Sequence, residues 1–159
     1  MKNELVHRQA FAIVGISTRT SNELEANEVS ARIPALWGRI YHEDVFNRIP
    51  AKASSGLVAV YSKYEGDHTA PYTLTLGAAV QSTDETPAGM EIVRVPEQDC
   101  LQFPVRGKMP DKLIETWIQI WSFFDESNPF ERTYLADFEE YSPDGSQAEI
   151  YIGVKRANR

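Results

Sequence analysis

A chain of 159 residues with a formal charge of −7, 23 acids against 16 Lys and Arg, and one cysteine excludes several classes of protein at once. Its basic residues, among them Lys2, Arg8, Arg19, Arg32, Arg39 and Lys112, are scattered rather than gathered into a stripe, which argues against direct nucleic-acid binding, because that rests on neutralising phosphates. No apolar stretch approaches the roughly 20 residues of a membrane span, Cys100 has no disulfide partner, and Met1-Lys2-Asn3-Glu4 runs without a secretory leader into a short alternating segment, so one cytoplasmic domain over 1–159 is expected.

Residues 5–19 are rich in β-branched side chains and long enough for one bent strand, with Gly15 a candidate bulge. Ser21-Asn22-Glu23 supplies turn and capping residues. A helix is predicted within 27–45, where Val29, Ile33, Leu36, Trp37 and Ile40 recur at helical spacing and Pro34 marks a kink or a start. Gly56 to Tyr64 and Tyr72 to Gln81 alternate with period two and read as a hairpin, and 82–89 is a linker. Met90 to Val105 is a strand interrupted at 96–99. Pro110-Asp111 opens a second helix whose apolar stripe is Leu113, Ile114, Trp117, Ile118, Trp121 and Phe124. Tyr134 to Tyr141 and Gln147 to Val154 form a last hairpin turning at Ser142-Pro-Asp-Gly-Ser146. Each half reads strand, helix, strand, strand, which predicts an α+β fold with antiparallel sheets and helices on one face.

The two halves also match in sequence, at an offset of eighty residues. Ile33-Pro-Ala-Leu-Trp37-Gly-Arg-Ile-Tyr41 reads onto Leu113-Ile-Glu-Thr-Trp117-Ile-Gln-Ile-Trp121, and Tyr61 onto Tyr141. Phe11 to Val14 lies one residue off register with Glu91 to Val93, and Thr73 to Gly77 matches Glu149 to Gly153 once a loop shortens by four. Pseudo-repeats 5–81 and 90–155 are therefore expected to be duplicated strand-helix-strand-strand modules, with two helices around a central cleft.

Alternation assigns faces to the last strands: Ala148, Ile150, Ile152 and Val154 pack under a helix, leaving Glu149, Tyr151 and Gly153 opposite. Carried through the repeat, this places Ala59, Tyr61, Thr73, Thr75, Glu139, Tyr141, Glu149 and Tyr151 on one set of faces. In a lone sheet these would form a solvent face, and Trp37 and Trp117 would be core. In a duplicated one they turn toward one cleft, and a tryptophan can bury one edge while presenting the other. Carboxylates among such rings suit an organic cation, each ring face contributing roughly 0.5–2 kcal/mol.

Catalytic signatures are absent. His7, His42 and His68 fall in different elements, so no metal site is expected; the glycines show no phosphate-cradling pattern, and no Gly-x-Ser-x-Gly occurs. No catalytic residue, metal or cofactor is assigned.

Ile33-Pro-Ala-Leu-Trp37, Gly89-Met-Glu-Ile-Val93, Phe138-Glu-Glu-Tyr141 and Glu149-Ile-Tyr-Ile152 together closely resemble the GyrI-like effector-binding family, the ligand-sensing domain of many AraC- and MerR-type multidrug regulators in bacteria, also found standing alone. The resemblance implies two modules around a cleft in which a buried glutamate among aromatics receives lipophilic cations. Glu139 matches that glutamate best and Glu149 second; Tyr151 matches the tyrosine of the last strand. Gly153 stands where proline is usual. Cys100 stands where an aromatic is common, and its smaller side chain would enlarge that end of the pocket. Because the sensor starts at the first residues, the implied role is a stand-alone module binding drug-like cations, with a protein partner or a homo-oligomer left open. Two other activities also stay open: hydrolysis of a reactive small molecule by water activated at Glu139 with Tyr151 or Tyr141, and gyrase-inhibitor-like protein binding. In the empty protein Glu139 and Tyr151 are expected to line one cavity, with a tyrosine hydroxyl reaching the carboxylate, because a bare buried charge is costly.

Overall fold

A computed structural model describes residues 2–157. Its first half contains β1 (Glu4–Arg8), β2 (Phe11–Thr20), α1 (Asn22–Glu25), α2 (Ile33–His42), α3 (Val45–Arg48), β3 (Val58–Ser62) and β4 (Tyr72–Val80). The second contains β5 (Glu91–Val95), β6 (Gln98–Val105), α4 (Asp111–Asp125), β7 (Phe130–Arg132), β8 (Ala136–Tyr141) and β9 (Ala148–Arg156). Pro34 sits in the first turn of α2, where its missing N–H costs nothing, and the turn is capped from α1: the Glu25 carboxylate accepts from the backbone N–H groups of Arg32 and Ile33.

The strands form one antiparallel sheet in the order β1-β6-β9-β8-β3-β4-β2-β5, with β7 paired to β9. Exchanging β1 with β5, β2 with β6, β3 with β8 and β4 with β9 reads the same order backwards, as a twofold between β3 and β8 requires. The exchange corrects two expectations. Residues 5–19 are two strands, because β1 leaves its own half to pair with β6 while β2 pairs with β4 and β5. The counterpart of Glu91–Val95 is therefore β1 and not Phe11 to Val14.

Two-residue connections, Gln9-Ala10 and Pro96-Glu97, carry the chain from one end of the strand order to the other, so the sheet must curl. Phe11 and Phe138 show how far: their rings meet at 4.9 Å although β4 and β3 intervene between their strands. The inner face packs Ile13, Val58, Val60, Val93, Val95 and Phe138. The other face carries the helices, with one core under α2 and α3 and another under α4; Tyr141 packs against both. Among the described residues no helix is long and apolar enough to cross a membrane.

Gly15 is not a bulge, since the β2–β4 register runs unbroken through Gly15↔Gly77. The two backbones approach so closely there that a Cβ on Gly15 would strike the Leu76 carbonyl and one on Gly77 the Val14 carbonyl. Gly15→Ala is expected to cost at least about 1–3 kcal/mol in chemical denaturation. Gly38→Ala, inside α2, where a Cβ meets nothing within 4 Å, should stabilise by up to about 1 kcal/mol. Equal effects at the two sites would contradict the close crossing.

Candidate functional site

At the centre of the sheet Ala59 of β3 stands opposite Glu139 of β8. These are residues that the sequence repeat makes equivalent, and equivalent residues face each other only where the pseudo-twofold axis passes between them. Glu139 is 0 % exposed. Its Oε2 accepts from the Tyr61 hydroxyl and the Trp117 indole N–H, both at 2.7 Å, and its Oε1 accepts from the Tyr141 hydroxyl at 2.7 Å.

The rings obey the same symmetry. Trp37 meets Tyr141 edge to face at 5.4 Å and 78°, and Trp117 meets Tyr61 at 5.2 Å and 64°. The offset of eighty converts one pair into the other. Tyr72 leans on Tyr61 at 5.6 Å. Trp37, Tyr61, Trp117 and Tyr141 each keep part of their surface exposed, so the carboxylate lies beneath a partly open aromatic cage. What breaks the symmetry is charge, with a carboxylate on one side of the axis and a methyl group on the other.

Desolvation raises the Glu139 pKa above the ordinary carboxylate value, and the three donors only partly oppose it. Burial first, and the neighbouring carboxylate second, push the Tyr61 and Tyr141 hydroxyls well above their usual range, so both remain donors. The nearby acid Asp137 is treated differently. It accepts from Arg132 Nη2 at 2.7 Å, the Tyr64 hydroxyl at 2.6 Å and the Gly153 amide at 2.9 Å, while the Arg132 guanidinium lies 4.4 Å from the Tyr134 ring centroid. This network escapes sequence reasoning because Asp137 shares the polar parity of its strand; the one available signal is an arginine five residues away.

The cage unites Trp37, Tyr61, Trp117, Glu139 and Tyr141 of the expected site. Glu149, Tyr151, Thr73 and Thr75 lie on the opposite face of the sheet. The ladders pair Tyr61 with Leu74 and Glu139 with Ile150, odd residues against even, so the hairpin loops invert the parity assumed from sequence. Tyr151 instead stacks on Phe138 at 4.7 Å and 13°. Arg8 lies over that ring at 4.6 Å and pairs with Glu140 through two 2.9 Å hydrogen bonds. Glu149 engages Arg106, and Gln102 at 3.2 Å. Glu139 and Tyr151 therefore line no common cavity, and the Glu139–Tyr151 pairing considered for water activation is not assembled. Cys100 also belongs to the inner face, where burial pushes its thiol up to about 12, so its small size does not enlarge the cage. A tyrosine hydroxyl does reach Glu139, as expected, from two sides. Among the described residues no group of three His, Cys, Asp or Glu side chains could hold a metal ion.

A family model for integron-associated effector-binding proteins, Cass2, matches residues 4–154. A putative transcriptional regulator, YobU of Bacillus subtilis, is 31% identical over 161 residues, covering 97% of this chain and 98% of the relative. An integron cassette protein from the mobile metagenome of Vibrio cholerae shares the fold with a TM-score of 0.79 at 24% identity, over 96% of this chain and 95% of that one. The structure of SAV2435 bound to tetraphenylphosphonium has a TM-score of 0.76 at 17% identity, over 98% and 94%.

Proposed function

Because the chain belongs to the family of integron-associated effector-binding proteins, we propose that its effector is a lipophilic organic cation received over Glu139 by the rings of Trp37, Tyr61, Trp117 and Tyr141. One contrast carries the reading. Glu139 and Glu140 are adjacent in β8 and point to opposite faces, each beside aromatic rings. Glu140 has its cation, the Arg8 guanidinium lying over Phe138 and Tyr151. Glu139 has only neutral donors, and among the described residues no ion pair reaches it. A buried carboxylate held by neutral hydrogen bonds costs stability that a bound cation returns as affinity. Rings at that site add cation–π attraction, which desolvation strengthens. The tetraphenylphosphonium bound by SAV2435 supplies a probe whose own charge is independent of pH.

The reading requires an ionised Glu139. Affinity for tetraphenylphosphonium is expected to fall as pH drops through the raised pKa of Glu139, by up to about tenfold per pH unit. Titrations followed by tryptophan fluorescence between neutral pH and the acid limit of the fold would show the slope. Glu139→Gln should show none. A wild-type profile as flat as that of the variant would contradict the assignment.

A further inference from the structure

Each of the four cage rings, Trp37, Tyr61, Trp117 and Tyr141, has a partner across the pseudo-twofold, but the carboxylate does not. Ala59 occupies the position equivalent to Glu139 and stands directly across the ladder from it, where facing Cβ atoms are about 4.5–5.5 Å apart. Ala59 is itself buried, in the core under α2. A carboxylate at position 59 would find the mirrored donors: Tyr61 and Tyr141 exchange roles, and Trp37 takes the place of Trp117. We propose that the cage has two equivalent carboxylate positions, that Ala59 leaves one unused, and that the site consequently accepts ligands carrying one positive charge and rejects compact dications. The proposal rests on the cation reading of the site.

The other nearby acids cannot serve as a second counter-charge. Asp137 is engaged by Arg132, with side-chain exposures of 0% and 4%. Glu25 is occupied in capping α2 and accepts from Thr20. A second positive charge drawn into the cage would be desolvated beside a methyl group, a penalty that lowers affinity on the order of a hundredfold or more.

Two measurements test this. In wild type, 1-methyl-4-phenylpyridinium and 1,1′-dimethyl-4,4′-bipyridinium, ligands of similar ring size differing by one charge, would compete against tetraphenylphosphonium. The monocation should bind on the order of a hundredfold more tightly. Equal affinities would overturn the charge limit without any variant. The second measurement moves the carboxylate across the axis: Glu139→Ala should abolish tetraphenylphosphonium binding, and adding Ala59→Glu should restore it to within about tenfold of wild type, since volume and charge are both conserved. A double variant that folds by circular dichroism and yet recovers no binding overturns the equivalence of the two positions. Should Ala59→Glu/Glu139→Ala not fold, the wild-type ligand pair still decides the charge limit. Failure of wild type to bind tetraphenylphosphonium would strike the cation reading itself, a result distinct from either of the others.

Discussion

Glu139→Gln should weaken tetraphenylphosphonium binding by roughly thirtyfold to several thousandfold, the equivalent of about 2–5 kcal/mol for removing one member of a desolvated charge pair. The substitution keeps shape and hydrogen bonding. An amide oxygen can accept from Tyr61 and Trp117, and the amide nitrogen can donate to the Tyr141 oxygen, so the loss isolates charge. Neutral ligands of similar bulk should barely distinguish the two proteins. Stability should move the other way. Because the folded protein holds the Glu139 proton more tightly than the unfolded chain does, wild type is relatively most stable below the ordinary carboxylate range and loses stability as pH rises through the raised pKa. Glutamine does not titrate. The variant should therefore melt at or above the wild-type temperature at neutral pH, with the advantage shrinking in acid, a combination that simple misfolding of the variant cannot produce.

Arg132→Met is expected to give the largest loss of stability in the molecule, about 3–5 kcal/mol, because it strands the Asp137 carboxylate in the interior with only Tyr64 and the Gly153 amide for company. For a domain of this size that corresponds to roughly 6–20 °C in Tm. The methionine fills much of the arginine stem, so a loss of this size could not be blamed on a cavity. Calorimetry at neutral pH would show it, and a change below about 1 kcal/mol would mean that the pair is solvated and contributes little. Asp137 lies two residues from Glu139 on β8. Its network ties β7 and β9 to β8, the strand that carries Glu139.

Much of the cage was legible before any coordinates, because the repeat acts on side chains the fold cannot hide. Trp37 and Trp117, then Tyr61 and Tyr141, fall at one offset and end as two equivalent ring pairs. What misled was parity. Alternation fixes the faces within one strand, but the relation between two strands depends on the loop that joins them, and those loops turn Glu149 and Tyr151 away from Glu139. The exchange of β1 and β5 between the halves was equally hidden, since a two-residue connection reads as part of a strand and nothing local reports pairing between residues 76 to 98 positions apart in the chain. The use of Ala59 depends on register across β3 and β8, which no periodicity in either strand contains.

If a cation sits between the two ring pairs with Glu139 as its counter-charge, a crystal structure of the tetraphenylphosphonium complex will show it there. The phosphonium should lie between Trp37–Tyr141 and Trp117–Tyr61, with Glu139 the nearest acidic side chain and Ala59 against its opposite side. A phosphonium seated on the inner face instead, beside Tyr151 and Glu149, would contradict it.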